Sequence, residues 1–147
     1  MLILTVNPGS TSTKLALFDG ENERAAQTVT HAAEELAGYA TMADQLPMRL
    51  AATRTFLAES LTAGGELRAS IGRGGLLHPV ESGTYAVNDQ MRKDLGSERY
   101  GRHASNLGGL IASAIAEPLG IPAFIADPVV VDELESVARL SGVPQIE

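Results

Sequence analysis

Residues 3–19 read Ile-Leu-Thr-Val-Asn-Pro-Gly-Ser-Thr-Ser-Thr-Lys-Leu-Ala-Leu-Phe-Asp. Two short apolar runs, Leu2–Val6 and Leu15–Phe18, flank a hydroxyl-rich turn with one lysine at its far edge. Both runs read as β-strands, and Pro8-Gly9 between them is a strong turn signal. The pattern predicts a hairpin whose tip carries Asn7, Ser10, Thr11, Ser12, Thr13 and Lys14. Such a tip offers backbone N–H groups, hydroxyl donors and an ammonium, which are the groups a chain of phosphates needs. Side chains alternate along a strand, so Ser12 and Lys14 leave the same face, joined by Ser10 if the strand begins that early. Composition leaves a second reading open, because Ser, Thr and Gly also gather at turns by tolerating them. A Walker A loop is excluded: no glycine stands immediately before Lys14, and no helical pattern follows it. A hairpin clip for phosphate remains.

The 147 residues suit one domain able to bury a real core. Acidic residues outnumber basic ones 18 to 11, for a net charge of −7. A nucleic-acid partner is therefore not expected, since a polyanion calls for clustered Lys and Arg. Cysteine is absent, which removes disulfides and thiolate metal sites. The histidines His31, His78 and His103 have no i, i+4 spacing of the kind zinc sites use. The first two read as surface residues. Strand-like residues follow Met1 at once, with no basic leader and no cleavage pattern. No apolar run is long enough to span a bilayer, so the expectation is a soluble cytoplasmic chain with no membrane partner.

Beyond the hairpin, Asp19–Asn22 reads as a turn and Ala25–His31 as a third antiparallel strand. Ala32–Leu61 is rich in helix formers, and Pro47 divides it into two helices, with the proline near the start of the second. Leu50, Leu57 and Leu61 give that second helix an apolar stripe, ended by Gly64-Gly65. Leu67–Ile71 and Thr84–Val87 are strand candidates, and Asn88 suits the N-cap of a helix over Asp89–Leu95. Leu107, Leu110, Ile111, Ala114 and Ile115 mark one buried helical face, closed by Gly120. Ile121–Ala126 has the continuous apolar pattern of a strand covered on both faces, and Asp132–Leu140 reads as a last helix. Periodicity alone says α/β.

Two residues stand where open sheets present ligand groups, at strand ends. Arg73 lies between glycines, and a guanidinium there can grip a carboxylate or a phosphoryl group with paired hydrogen bonds. A loop arginine in solvent is the plainer alternative. Asp127 precedes Pro128 and equally suits a turn cap. His103 and Asn106 open the amphipathic helix, where Ser105 or Asn106 serves as N-cap in any protein.

The motifs Asn7–Lys14, Gly72-Arg73-Gly74-Gly75-Leu76-Leu77, His103–Gly108, Gly120–Phe124 and Asp127–Leu134, in this order over nearly the whole chain, resemble butyrate kinases. These belong with the acetate and sugar kinases, Hsp70 and actin. The resemblance implies a ribonuclease-H-like (actin-like ATPase) α/β domain, with a mixed sheet opened by an antiparallel hairpin and flanked by helices. It implies a transferase that makes acyl phosphate from MgATP and butyrate or a similar short or branched fatty acid, with ATP and Mg2+ as cofactors. A small carboxylic acid is then the partner, and the full enzyme is expected to be a homodimer.

Residue by residue, the resemblance gives Arg73 and Asp127 catalytic roles. It makes Asn7, Ser10, Ser12 and Lys14 phosphate-binding, and it places His103 and Asn106 near the substrate pocket. Asn7 and Asp127 are its metal-side residues. A fatty acid ionises much like a glutamate side chain, with pKa about 4.3, so at neutral pH it is already a nucleophile and needs no general base. Asp127 is therefore expected to position or hold magnesium and not to take a proton.

The family's chains are longer, and their second half supplies the adenosine-binding glycine-rich segments. Residues 1–147 are accordingly expected to be the N-terminal domain, with the nucleotide-binding C-terminal domain outside this chain and negligible kinase activity alone. The competing readings are a non-catalytic domain that binds phosphate or a partner, and a piece of an acetate or propionate kinase.

Overall fold

The computed structural model describes residues 1–61, 65–139 and 142. Three antiparallel strands open the chain: β1 (Leu2–Pro8), β2 (Ser12–Asp19) and β3 (Asn22–Thr30). Gly20, at φ 59°, makes the turn between the last two. β4 (Leu67–Arg73) lies parallel to β1, and β6 (Ala123–Ala126) lies parallel to β4. The short β5 (Thr84–Ala86) pairs antiparallel with β6 at the edge. The six-stranded order is β3-β2-β1-β4-β6-β5. This is the ribonuclease-H-like α/β architecture with its hairpin start.

Among the described residues four α-helices accompany the sheet: α1 (Ala33–Ala37), α2 (Leu46–Ser60), α3 (Asp89–Gly96) and α4 (Asn106–Ala116). Pro47 sits in the first turn of α2, where its missing N–H costs nothing. Asn88 caps α3 by accepting from the Met91 N–H at 2.8 Å. After α4, a 3-10 turn over Glu117–Leu119 accommodates Pro118, and Gly120 closes it in the left-handed conformation at φ 63°.

The strand alternation decides which face carries the core. Leu4 and Val6 of β1 and Leu15 and Leu17 of β2 point to one side, against Phe56 and Leu57 of α2 and Leu107, Ile111 and Ile115 of α4. Burying each such side chain contributes roughly 1.5–3 kcal/mol. A smaller cluster of Leu77, Leu95 and Ile125 extends the core beneath α3 and α4. The other face carries Thr5, Asn7, Lys14, Phe18, Ile71, Arg73 and Phe124, none of which is fully buried, and no helix among the described residues covers it. The expectation that the Ile121–Ala126 strand is covered on both faces is thus corrected: only Ile125 of β6 is buried, under α4.

Other differences have local causes. β4 continues past Ile71 through Arg73 because β6 keeps pairing with it, and the Gly74 N–H extends that ladder to the Ala126 carbonyl at 2.8 Å. Residues 131–135 are not helical; the Asp132 carboxylate accepts from the Leu134 N–H, a local turn that competes with helix, and only a 3-10 turn over Ser136–Arg139 follows. Leu140, Pro144 and Gly64, which the sequence reading used as helix limits, lie outside the described residues. No helix among the described residues is long and apolar enough to cross a membrane.

β4 and α4 touch backbone to backbone. A Cβ on Gly72 would stand 2.1 Å from the Gly108 carbonyl atoms, and one on Gly108 would stand 2.2 Å from the Arg73 oxygen. Both obstacles are main chain, so neither can swing aside. Gly108→Ala is therefore expected to destabilise the fold by about 3 kcal/mol or more in urea unfolding. Gly96→Ala, which meets nothing within 4 Å, should instead stabilise it by about 0.5 kcal/mol.

Candidate functional site

The carboxyl ends of β1, β4 and β6 lie side by side, and each presents a polar side chain. Asn7, Arg73 and Asp127 line one cleft of about 230 Å3 together with Thr5 and Ala126. Asn7 and Arg73 also line a neighbouring cleft of about 580 Å3, whose other walls are the Pro8–Ser10 turn, Met42, Arg102, His103 and Val129. Across the β1–β2 ladder Asn7 is paired with Lys14, and both line a third cleft of about 400 Å3. The predicted residues Asn7, Ser10, Lys14, Arg73, His103 and Asp127 thus surround the ends of adjacent strands. Ser12 is half-buried at the start of β2 and lines none of these clefts.

The turn is tighter than the sequence suggests. Pro8 pairs with Thr13 and Asn7 with Lys14, so these residues belong to the ladder, and only Gly9, Ser10 and Thr11 lie between the strands. The Gly9 N–H closes the turn on the Ser12 carbonyl at 2.7 Å. Thr13 faces the core and Lys14 faces solvent, as alternation requires.

Arg73 is exposed on a rigid stem. Its neighbours Gly74 and Gly75 are glycines because a Cβ would stand 2.6 Å from Pro128 Cα and 2.6 Å from Asn106 Cα respectively. Asn106 was expected near the substrate pocket, but the structure gives its side chain different work. It is buried, its Oδ1 accepts from the Leu76 N–H at 2.8 Å, and its Nδ2 donates to the Gly101 carbonyl at 2.9 Å. It ties the segment after Arg73 to the segment before His103. Ser105 is the residue before α4, yet it makes no side-chain cap. Its N–H instead donates to His103 Nδ1 at 3.2 Å, and its hydroxyl lies 2.6 Å from the same nitrogen. A nitrogen that accepts from a backbone amide carries no proton, so neutral His103 keeps its proton on Nε2, free to donate.

Asp127 has φ 45°, in the left-handed region that few side chains adopt. Its backbone N–H reaches the Gly83 carbonyl at 3.3 Å, while its carboxylate makes no hydrogen bond or ion pair among the described residues. The same holds for the Lys14 ammonium and the Arg73 guanidinium. Among the described residues no group of three or more His, Cys, Asp or Glu could cage a metal. One carboxylate and one amide oxygen in a shared cleft fit a hard cation held mainly by water and phosphate.

Several residues escaped the sequence reading. Met42 and Arg102 line the larger cleft, and the Met42 N–H is held by Glu98 Oε1 at 2.6 Å. Beneath the turn lies a buried polar cluster. Arg49 of α2 is 0 % exposed, and His31, expected at the surface, is 6 % exposed. Arg49 Nη1 donates to Thr13 Oγ1 at 3.0 Å, and Thr13 Oγ1 lies 2.9 Å from His31 Nε2. The threonine hydroxyl thus joins the buried guanidinium to the imidazole in one polar chain. The signal was present: Arg49, Thr53, Phe56 and Leu57 fall on one helical face at i, i+4, i+7 and i+8, with Gln45 one turn earlier.

No protein-family model matches the chain. It is 49% identical over 144 residues to a probable butyrate kinase 2 of Caldanaerobacter subterraneus subsp. tengcongensis, covering 98% of this chain and 41% of that protein. It is 47% identical over 144 residues to butyrate kinase 2 of Clostridium acetobutylicum, with 98% and 40% covered. Over almost its whole length the chain is similar to butyrate kinases. It spans about two fifths of the length of these butyrate kinases. An acetate kinase from Entamoeba histolytica shares the fold, with a TM-score of 0.55 and 14% identity over 99% of this chain and 39% of that one.

Two outcomes follow from the local geometry. Asp127→Ala should cost about 1 kcal/mol in thermal unfolding, whereas Asp127→Gly should cost nothing or stabilise slightly, because glycine accepts positive φ. Burial, more than the nearby Arg49 charge, pushes the His31 imidazole below its ordinary value of 6.5, with Glu35 opposing. The unfolded chain then takes up a proton that the native state refuses, so stability is full above that value and declines as the pH falls below it. Unfolding midpoints followed from about pH 7 to about pH 5 should fall less steeply for His31→Gln than for the wild type.

Proposed function

We propose that this chain is the N-terminal part of a butyrate-kinase-type enzyme that transfers a phosphoryl group from MgATP to butyrate or a similar short or branched carboxylate. The observation that carries this reading is the convergence of Asn7, Arg73 and Asp127 on one cleft at the ends of adjacent strands, with the Ser10 turn beside it.

The chemical difficulty is bringing two anions together, and the site is built of unpaired cations and donors in an acidic chain of net charge −7. Arg73 can hold the transferring phosphoryl group with paired N–H groups while it screens the incoming carboxylate. Lys14 and the turn amides take the phosphate chain from the other side of Asn7. His103 Nε2–H, the Arg102 guanidinium and Met42 stand where the carboxylate and its acyl chain would lie. With the nucleophile already ionised at neutral pH, no side chain has to accept a proton. Magnesium, held by the phosphates, water and the oxygens of Asp127 and Asn7, would supply charge neutralisation on the transferring group. The adenosine wall would come from segments beyond this chain, in a cytoplasmic homodimer. The 147-residue chain on its own should then turn over negligibly, since the clefts stay open to water.

In the complete enzyme, Arg73→Ala is expected to lower kcat about a thousandfold or more, with the unfolding midpoint unchanged. A steady-state assay of acyl-phosphate formation that finds wild-type turnover in this variant would overturn the assignment.

A further inference from the structure

Every donor of the buried Arg49 guanidinium is engaged. Nη1 donates to the Ser12 carbonyl at 2.8 Å and to Thr13 Oγ1 at 3.0 Å. Nη2 donates to the Ser10 carbonyl at 3.2 Å and to Gln45 Oε1 at 2.9 Å, and Nε donates to Gln45 Oε1 at 3.1 Å. An arginine has five N–H donors, and all are used here. Each acceptor is neutral, and no carboxylate among the described residues pairs with Arg49. A buried charge without a counter-charge is costly, and a surface turn does not need one to fold.

The hydrogen bonds of the turn are sorted by polarity. The Ser10 carbonyl is taken by Arg49, the Thr11 carbonyl by the His31 N–H at 2.9 Å, and the Ser12 carbonyl by Gly9 and Arg49. The N–H groups of Ser10 and Thr11, both exposed residues, have no partner among the described residues. Carbonyls are held inward and amides are left outward, over a cation.

We propose that Arg49 is a positioning residue that makes the β1–β2 turn an anion seat: it draws the Ser10 and Ser12 carbonyls inward and leaves the Ser10 and Thr11 amides to an incoming phosphate. The fixed peptide dipoles present their positive ends to the ligand, and the guanidinium beneath adds a full charge that water does not screen. Gln45 orients the guanidinium from one side and Thr13, braced by His31, from the other. The inference rests on the kinase reading only for the identity of the anion.

The test uses the chain itself and inorganic phosphate, with chloride at matched ionic strength as the reference. In the wild type, phosphate should shift the Ser10 and Thr11 amide signals beyond what chloride does. Arg49→Lys keeps the charge but loses the planar fork, and should weaken phosphate about tenfold or more. Phe56→Leu, a core change on the same helix, is the control for lost stability and should leave phosphate affinity unchanged. Arg49→Lys with wild-type affinity, or Phe56→Leu with an equal loss, would overturn the proposal. If Arg49→Lys does not fold, Gln45→Met removes the orienting acceptor alone and should weaken phosphate about threefold or more; unchanged affinity there overturns it equally. An absence of any phosphate-specific shift in the wild type would overturn the seat itself, while the kinase reading would still be judged on Arg73.

Discussion

The contact between Gly72 and Gly108 sets the geometry of everything around it. With main chain meeting main chain, the first turn of α4 lies directly against the end of β4. Arg73 and His103 can therefore line one cleft although they come from different elements. Asn106 fastens the same junction from the side, through one bond to each flanking segment. The glycines around Arg73 look, as a sequence, like a flexible loop. In the fold they permit main chain to approach main chain at Gly108, Pro128 and Asn106, and the arginine they flank is held by its backbone and free at its side chain.

Polar groups divide cleanly between the two faces of the sheet. On the helical side they are buried and, apart from the Ser70 hydroxyl, which has no partner among the described residues, hydrogen-bonded, as in the Arg49, Gln45, Thr13 and His31 cluster. On the other side Asn7, Lys14 and Arg73 stand exposed and uncommitted, among half-buried Ile71 and Phe124. Ligand-handling groups have to keep their hydrogen-bonding capacity unspent, whereas a buried group cannot remain unpaired without a penalty of about 1–3 kcal/mol. The division follows from that difference.

Much of this was legible in the sequence. The hairpin, the third strand, the proline at the start of α2, the Asn88 cap and the buried stripe of α4 follow from local rules, because the cause of each lies within a few residues. What failed depended on distant partners. His31 carries no local mark of burial; it is buried because Thr13 and Arg49 arrive from other elements. Asn106 reads as a cap, and only the approach of Leu76 and Gly101 turns its side chain into a tie between two segments instead. The apolar run ending in Ala126 reads as doubly covered because both of its faces are apolar, yet α4 covers just one. Arg49 escapes for a different reason: the stripe read from Leu50, Leu57 and Leu61 follows apolar residues, whereas the buried face runs through Arg49, Thr53, Phe56 and Leu57 and is half polar.

The alternation of Thr13 and Lys14 has a consequence for how the hairpin finds its pairing. Sliding β2 by a single residue would send the lysine inward and the threonine out. The ammonium would then meet the Arg49 guanidinium in a dry pocket holding neutral acceptors and no anion, and like charges so confined repel strongly. Misregistered hairpins are thus rejected by electrostatics as well as by packing, and the cation that shapes the turn also proofreads the zipper that builds it.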